Sequence, residues 1–311
     1  MTQKALISQQ ALSVFEKLHQ TVLDTFSSLE GATSYTRDKW QHPAGGGGTT
    51  CILENGHHIE KSSVSISYIE GQTLPSSSVS HARFGQYDAY RVMGISTIIH
   101  PRNPHVPTSH MNVRLFLLYK GNDVIQWWFG GGYDLTPYII YEEDIVAWHY
   151  DAKQILDQYG DGRYQDYKRQ CDRYFYLPHR QETRGVGGIF YDQVNDMDFE
   201  TGLAMTKKVA TGYANSYSRI FKKRMHITST KAQEAFMRHR RTRYAEFNLL
   251  YDRGTKFGLQ SQGRIASILA SMPPSTGWLY HLPCDLEDMD KKLSPYLKPR
   301  EWVLELENST T

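Results

Sequence analysis

The chain has 311 residues, of which 40% are hydrophobic, 22% charged and 13% aromatic, and its formal net charge is +2. This is the balance of a soluble globular chain long enough to bury a large core, and it lacks the basic excess of a dedicated nucleic-acid binder. No apolar run approaches the roughly 18 residues of a membrane helix, and the widely spaced Cys51, Cys171 and Cys284 read as reduced thiols of a cytoplasmic protein.

From the N-terminus, residues 5–30 predict an amphipathic helix with Leu6, Val14, Leu18, Val22 and Phe26 near one face, a pattern unlike a signal peptide. Gly45–Gly48 break the chain before a strand at 49–53. Val64, Ile66 and Tyr68 alternate with serines as a half-buried strand, and 71–80 reads as a loop. A strand over 90–100 leads into the proline-punctuated stretch PRNPHVPTSH. Strands at 111–120 and 123–129 follow as an antiparallel hairpin.

Residues 142–158 predict a helix, with Ile145, Trp148, His149, Ala152, Ile155 and Leu156 at helical spacing. Further helices are expected at 163–178, 199–223 and 229–240. The stretch YAEFNLLYD (244–252) alternates as a strand, and 263–271 reads as a helix ended by Met-Pro-Pro. The whole of 1–311 therefore reads as one α+β domain, with a mainly antiparallel sheet and helices packed against it.

Chemistry concentrates in three places. On the 111–120 strand, Met111, Val113, Leu115 and Leu117 point one way, while His110, Asn112 and Arg114 point the other. That polar row is either a solvated sheet face or an anion-binding face with Arg114 as the guanidinium fork. Ser96 and His100 share a face with Gly94 on the preceding strand. In WWFGGGYD (127–134), the glycines either let backbone approach a large flat ligand, with the aromatics as walls, or form a bulged strand end on the core. Neither glycine run has the spacing of a phosphate loop. From Arg238 onward, arginines surround Asp252, which suits either a basic surface or a ligand carrying several carboxylates. The histidines match no metal-ligand spacing, and His149 sits on the apolar stripe of its helix.

WWFGGGYDLTPY, HPRNPHVPTSHMNVR, YFYLPHR, RGVGGIFYD and YAEFNLLYDRGTKFGLQ, with AGGGG before them, resemble the oxygen-dependent coproporphyrinogen III oxidases in family order from about 40 to 303. The resemblance implies a large flat, mainly antiparallel β-sheet sandwiched between layers of α-helices, in a homodimer. It implies conversion of two propionates of coproporphyrinogen III to vinyls, giving protoporphyrinogen IX and carbon dioxide. Dioxygen would be the co-substrate, with no organic cofactor. It assigns pyrrole N–H binding to Asp134 and Asp252, propionate binding to Arg114 and Arg253, and proton donation to His110. Substrate contacts fall on Ser96, Asn112, Val113, Arg114, Gln262, Gly263 and Arg264, and divalent-metal ligands on His100, His110, His149 and His179. The chain departs from the family pattern at Thr242 and Gln262, where glycine is usual, and at Ala266, where a carboxylate is usual. Two other classes remain open on the residues alone: a histidine-ligated iron oxygenase acting on another aromatic acid, and a tetrapyrrole carrier without catalysis.

Overall fold

A computed structural model of the chain describes residues 3–31, 33–74, 86–260 and 262–303, with side chains from residue 7 onward. The predicted placement of Leu6 and most of the 71–80 loop lie outside the described residues. Helix α1 (Gln3–Glu30) is followed by strands β1 (Thr36–Gln41), β2 (Gly46–Glu54), β3 (Ile59–Gly71), β4 (Ala89–Pro101), β5 (Thr108–Lys120) and β6 (Asp123–Thr136). Helices α2 (Glu142–Leu156) and α3 (Arg163–Tyr174) precede the short pair β7 (Tyr176–Leu177) and β8 (Glu182–Thr183), then β9 (Gly187–Val194). Helices α4 (Phe199–Arg224), α5 (Lys231–Leu250), α6 (Arg253–Gln260), α7 (Ile265–Leu269) and α8 (Cys284–Leu293) complete the order.

Seven strands form one sheet in the order β1-β2-β3-β4-β5-β6-β9, with every neighbouring pair antiparallel. Alternation gives the sheet two different faces. On one, Val64, Met93, Ile95, Met111, Leu115, Leu117, Phe129 and Tyr133 are buried in a core shared with Phe15, Val22 and Phe26 of α1 and with Tyr213 and Tyr217 of α4. Phe26 meets the Tyr213 and Tyr217 rings edge-on at 6.1 and 5.9 Å. Each such side chain, fully removed from water, contributes about 1.5–3 kcal/mol. The other face supports the cleft described below, over which α6 and α7 lie. No helix among the described residues is long and apolar enough to cross a membrane.

The antiparallel hairpin, the N-terminal helix and the helices near 142, 163 and 199 are present as expected. The strand predicted at 244–252 is not: α5 runs unbroken to Leu250. A capping box starts it, with the Thr230 side chain accepting from Gln233 N–H and the Gln233 side chain accepting from Thr230 N–H. Nothing in the next 20 residues is Gly or Pro, and Arg240, Tyr244, Phe247 and Tyr251 recur at helical spacing. The alternation within YAEFNLLYD satisfied both periods, and the longer register decides for helix. The glycines of 130–132 do not end their strand, because β6 continues to Thr136. Helices α6 and α8 and strands β1 and β9 were not anticipated.

Candidate active site

The floor of the cleft follows from strand register. Thr50, Ser65, Ser96, Asn112, Gly132 and Phe190 are successive cross-strand partners on β2, β3, β4, β5, β6 and β9. The small side chains of this row, Thr50 to Gly132, leave a solvent-open cleft with about 1700 Å³ of empty space, counting its mouth. Its lining reaches from Trp40 on β1 to Asp192 on β9, and the six strand spacings between them span about 29 Å at ~4.8 Å each. Gly48 makes room for the near wall: a Cβ there would lie 2.5 Å from the Trp40 ring. Tyr174, Phe175, Phe190 and Phe257 supply aromatic wall toward the far side, and Tyr174 stacks on Phe190 at 4.0 Å.

His110 and Asp134 are cross-strand neighbours on β5 and β6. The His110 Nδ1 lies 3.1 Å from Asp134 Oδ1. Arg184 donates to the same carboxylate twice, from Nε to Oδ2 at 2.8 Å and from Nη2 to Oδ1 at 2.7 Å. Its guanidinium is enclosed by the rings of Phe175, Tyr244 and Phe247, at 4.1, 4.5 and 4.9 Å. Burial would raise the Asp134 carboxyl, but the Arg184 charge and then the His110 hydrogen bond hold it below its ordinary value. Asp134 is fully buried behind His110 and does not line the cleft, so the direct pyrrole contact expected of it is not supported. Its position suits it instead to orient His110. An ionised Asp134 accepts from Nδ1–H, so the tautomer leaves Nε2 of His110 as the nitrogen for the cleft.

Arg114 lines the cleft from β5 and Arg253 from the start of α6. Arg114 Nη1 donates to Asn112 Oδ1 at 3.0 Å, and Nη2 donates to Asp192 Oδ1 at 3.0 Å. Arg253 Nη1 lies 3.2 Å from Asp192 Oδ2, so one carboxylate holds both arginines. Asp252 caps α6: its Oδ2 accepts from the N–H and hydroxyl of Thr255 at 2.7 and 2.9 Å, and its Oδ1 accepts from the Tyr174 hydroxyl at 2.8 Å. Burial pushes the Asp252 carboxyl up, yet the Thr255 N–H and the Tyr174 hydroxyl bring the net value below the ordinary one. It lines the cleft as an anion.

Ser96, His110, Asn112, Arg114, Asp252, Arg253, Gly263 and Arg264 thus share one cleft. Two expected substrate contacts do not. The Val113 side chain points to the opposite face, fully buried in the helical core, as alternation between Asn112 and Arg114 requires. Gln262 is exposed at a positive φ of 57° beside the cleft, outside its lining. Arg264 is ion-paired with Asp38 of β1.

The four histidines do not form a metal site. His100 is bonded through Nε2 to the Ser271 carbonyl and through Nδ1 to Thr108. His149 donates to the Val186 carbonyl and faces the Tyr164 hydroxyl. Burial, and then the charge of Lys168, lower its pKa to about 3, so it is a neutral core residue. His179 binds Glu246 and Tyr251. Among the described residues no group of three or more His, Cys, Asp or Glu side chains is placed to hold a metal ion. The residues do not fit the group.

Arg184, Asp192, Tyr174 and Phe190 were missed as site residues. The signal for the first, second and fourth lay within RGVGGIFYD, where Phe190 and Asp192 alternate with the core residue Tyr191.

An antiparallel sheet with one face given to helices and the other to a broad, arginine-bearing cleft defines an α+β enzyme with room for a large carboxylated substrate. The family model for coproporphyrinogen III oxidase matches residues 10–302, nearly the whole chain, and the chain belongs to that family. The family's reaction is oxidative decarboxylation of coproporphyrinogen III to protoporphyrinogen IX in haem biosynthesis, which makes the chain an oxidoreductase.

Proposed function

We propose that the chain carries out the oxygen-dependent form of this reaction in the cleft, with dioxygen as co-substrate and no organic cofactor, as a cytoplasmic homodimer. The observation that carries the reading is convergence: His110, Arg114, Asp252 and Arg253 come from β5 and the α5–α6 corner, yet face one cleft floored by small residues. Each propionate loses carbon dioxide, one proton and two electrons to become a vinyl group. Dioxygen takes those electrons with two protons, so each turn consumes one proton net and yields hydrogen peroxide. Arg114 or Arg253 fixes the carboxylate so that the bond to be broken is held in a reactive orientation. Asp252, an anion in the cleft, accepts pyrrole N–H bonds and stabilises the positive charge that develops on the oxidised ring. His110, oriented through Nδ1 by Asp134, takes on Nε2 the one proton each turn consumes from solvent and passes it to the departing peroxide.

The dimer reading is supported by exposed Leu249, Leu250, Leu259, Ile265, Leu269, Trp278 and Leu279, which fall on the end of α5, on α6 and α7, and on the segment that returns along α5. Trp278 is tied to that helix through Glu246. The three free thiols suit a reducing compartment.

The test is product analysis. Incubation with coproporphyrinogen III in air, without added cofactor and after chelation, yields protoporphyrinogen IX, and the same mixture without oxygen yields none. Binding without product in air makes the protein a carrier, and activity lost to chelation and restored by iron makes it an iron oxygenase. Light scattering should give about twice the 35.9 kDa chain mass.

A further inference from the structure

Asp192 has no role in the scheme above, yet the structure builds a place for it. It projects from β9 into the cleft with a side chain 18% exposed, and its two oxygens bridge Arg114 and Arg253. Both guanidiniums lie over the Phe190 ring, at 6.0 and 5.5 Å. Two further features hold the carboxylate in place. The β6–β9 register shifts between the pairs Phe129↔Val194 and Gly131↔Tyr191, which gives β9 one extra residue. Gln193 takes up that residue at a φ of 55°, a conformation rarely adopted by a residue with a side chain, and its N–H donates to Asp192 Oδ1 at 3.1 Å. Across the gap stands Gly130, where a Cβ would lie 2.8 Å from Arg114 Nε and 2.9 Å from Asp192 Oδ1.

We propose that Asp192 is a positioning residue: it clamps Arg114 and Arg253 into a single seat and sets the charge of that seat to one net positive, the match for one propionate of the substrate. The inference rests on the reading of the cleft as the coproporphyrinogen site. Two guanidiniums brought over one ring from separate elements repel each other, and a carboxylate between them removes that repulsion. Two arginines and one aspartate leave a single positive charge. Because the bulge and its N–H bond fix the carboxylate, Asp192 stays in place when substrate arrives. It acts through the arginines and does not compete for them.

The test compares wild type with Asp192→Asn and Asp192→Glu by steady-state turnover of coproporphyrinogen III and by fluorescence titration with oxidised coproporphyrin III. The Asn variant keeps an oxygen for the Gln193 N–H but loses the charge. Its KM and its porphyrin Kd should both rise at least tenfold while kcat stays within threefold, and the Glu variant should recover most of that loss. Unchanged or lowered KM and Kd in Asp192→Asn overturn the proposal, a lowering showing that the carboxylate competes with substrate. A Glu variant as impaired as Asn assigns the effect to shape and overturns the charge role. Failure of the functional reading is separate: wild type then makes no vinyl product in air, whatever Asp192 does. Asp196→Asn, on the exposed partner of Arg163, should leave every parameter at wild type.

Discussion

Asp252 has two roles that a single substitution can confuse. Removing its side chain in Asp252→Ala takes away the cap of α6, a loss of about 0.5–2 kcal/mol. It also removes the acceptor of the Tyr174 O–H, whose oxygen keeps the Arg253 N–H at 3.0 Å, at a further cost of about 1 kcal/mol. Lost activity in that variant therefore says little. Asparagine is as good a cap as aspartate, and in Asp252→Asn the side-chain oxygen can still accept from Thr255 N–H, which lies 2.7 Å away in the parent. What disappears is the negative charge. Removing one such electrostatic group from an active site costs about 100-fold or more in kcat. The assay is paired: thermal unfolding followed by circular dichroism, and initial rates of vinyl formation at saturating substrate. Asp252→Asn should melt within a few degrees of wild type and lose at least 100-fold in kcat. A well-folded Asp252→Asn with kcat within threefold of wild type refutes the assignment of catalytic charge to this residue.

Three other outcomes follow from the same geometry. Arg184→Met leaves Asp134 buried without its counter-ion, and chemical denaturation should show a loss of about 3–5 kcal/mol, part of which Asp134→Asn in the same chain restores. Glu246 is raised by burial but lowered more by hydrogen bonds from Arg180, Trp278 and His179, to about 2 from an ordinary 4.5. Its contribution to stability is therefore complete above pH 4.5 and disappears as pH falls toward 2, so Glu246→Gln should flatten acid unfolding across that window. Gly130→Ala drives a methyl group against Arg114 and Asp192, and its KM should rise several-fold with little change in kcat.

The sequence made the cleft's central strand readable because alternation on β5 separates His110, Asn112 and Arg114 from the apolar residues between them, and the structure keeps that division. The same alternation should have excluded Val113. Once the hairpin to β6 is drawn, His110 falls opposite Asp134, but the carboxylate's second partner, Arg184, stands 50 residues further on. Local pattern carries no such long-range pairing. The 244–252 error is of another kind: nine residues of alternation were read without the capping box that starts their helix 14 residues earlier. Asp252 was singled out, but its place at a strand end hid the Asp-Arg-Gly-Thr cap that begins α6. Asp192 stood in RGVGGIFYD on the same face as Phe190, but its clamp role was not legible there, because it depends on a bulge and on two arginines from distant elements.

The most direct test of the account is a crystal structure of the protein with oxidised coproporphyrin III, which keeps the carboxylate rim but does not turn over. The account predicts the macrocycle against the Ser96–Asn112 row, one propionate on Arg114 and Arg253, and Asp252 facing the pyrrole nitrogens. A porphyrin bound outside this cleft, or within it with both arginines bare, contradicts the account.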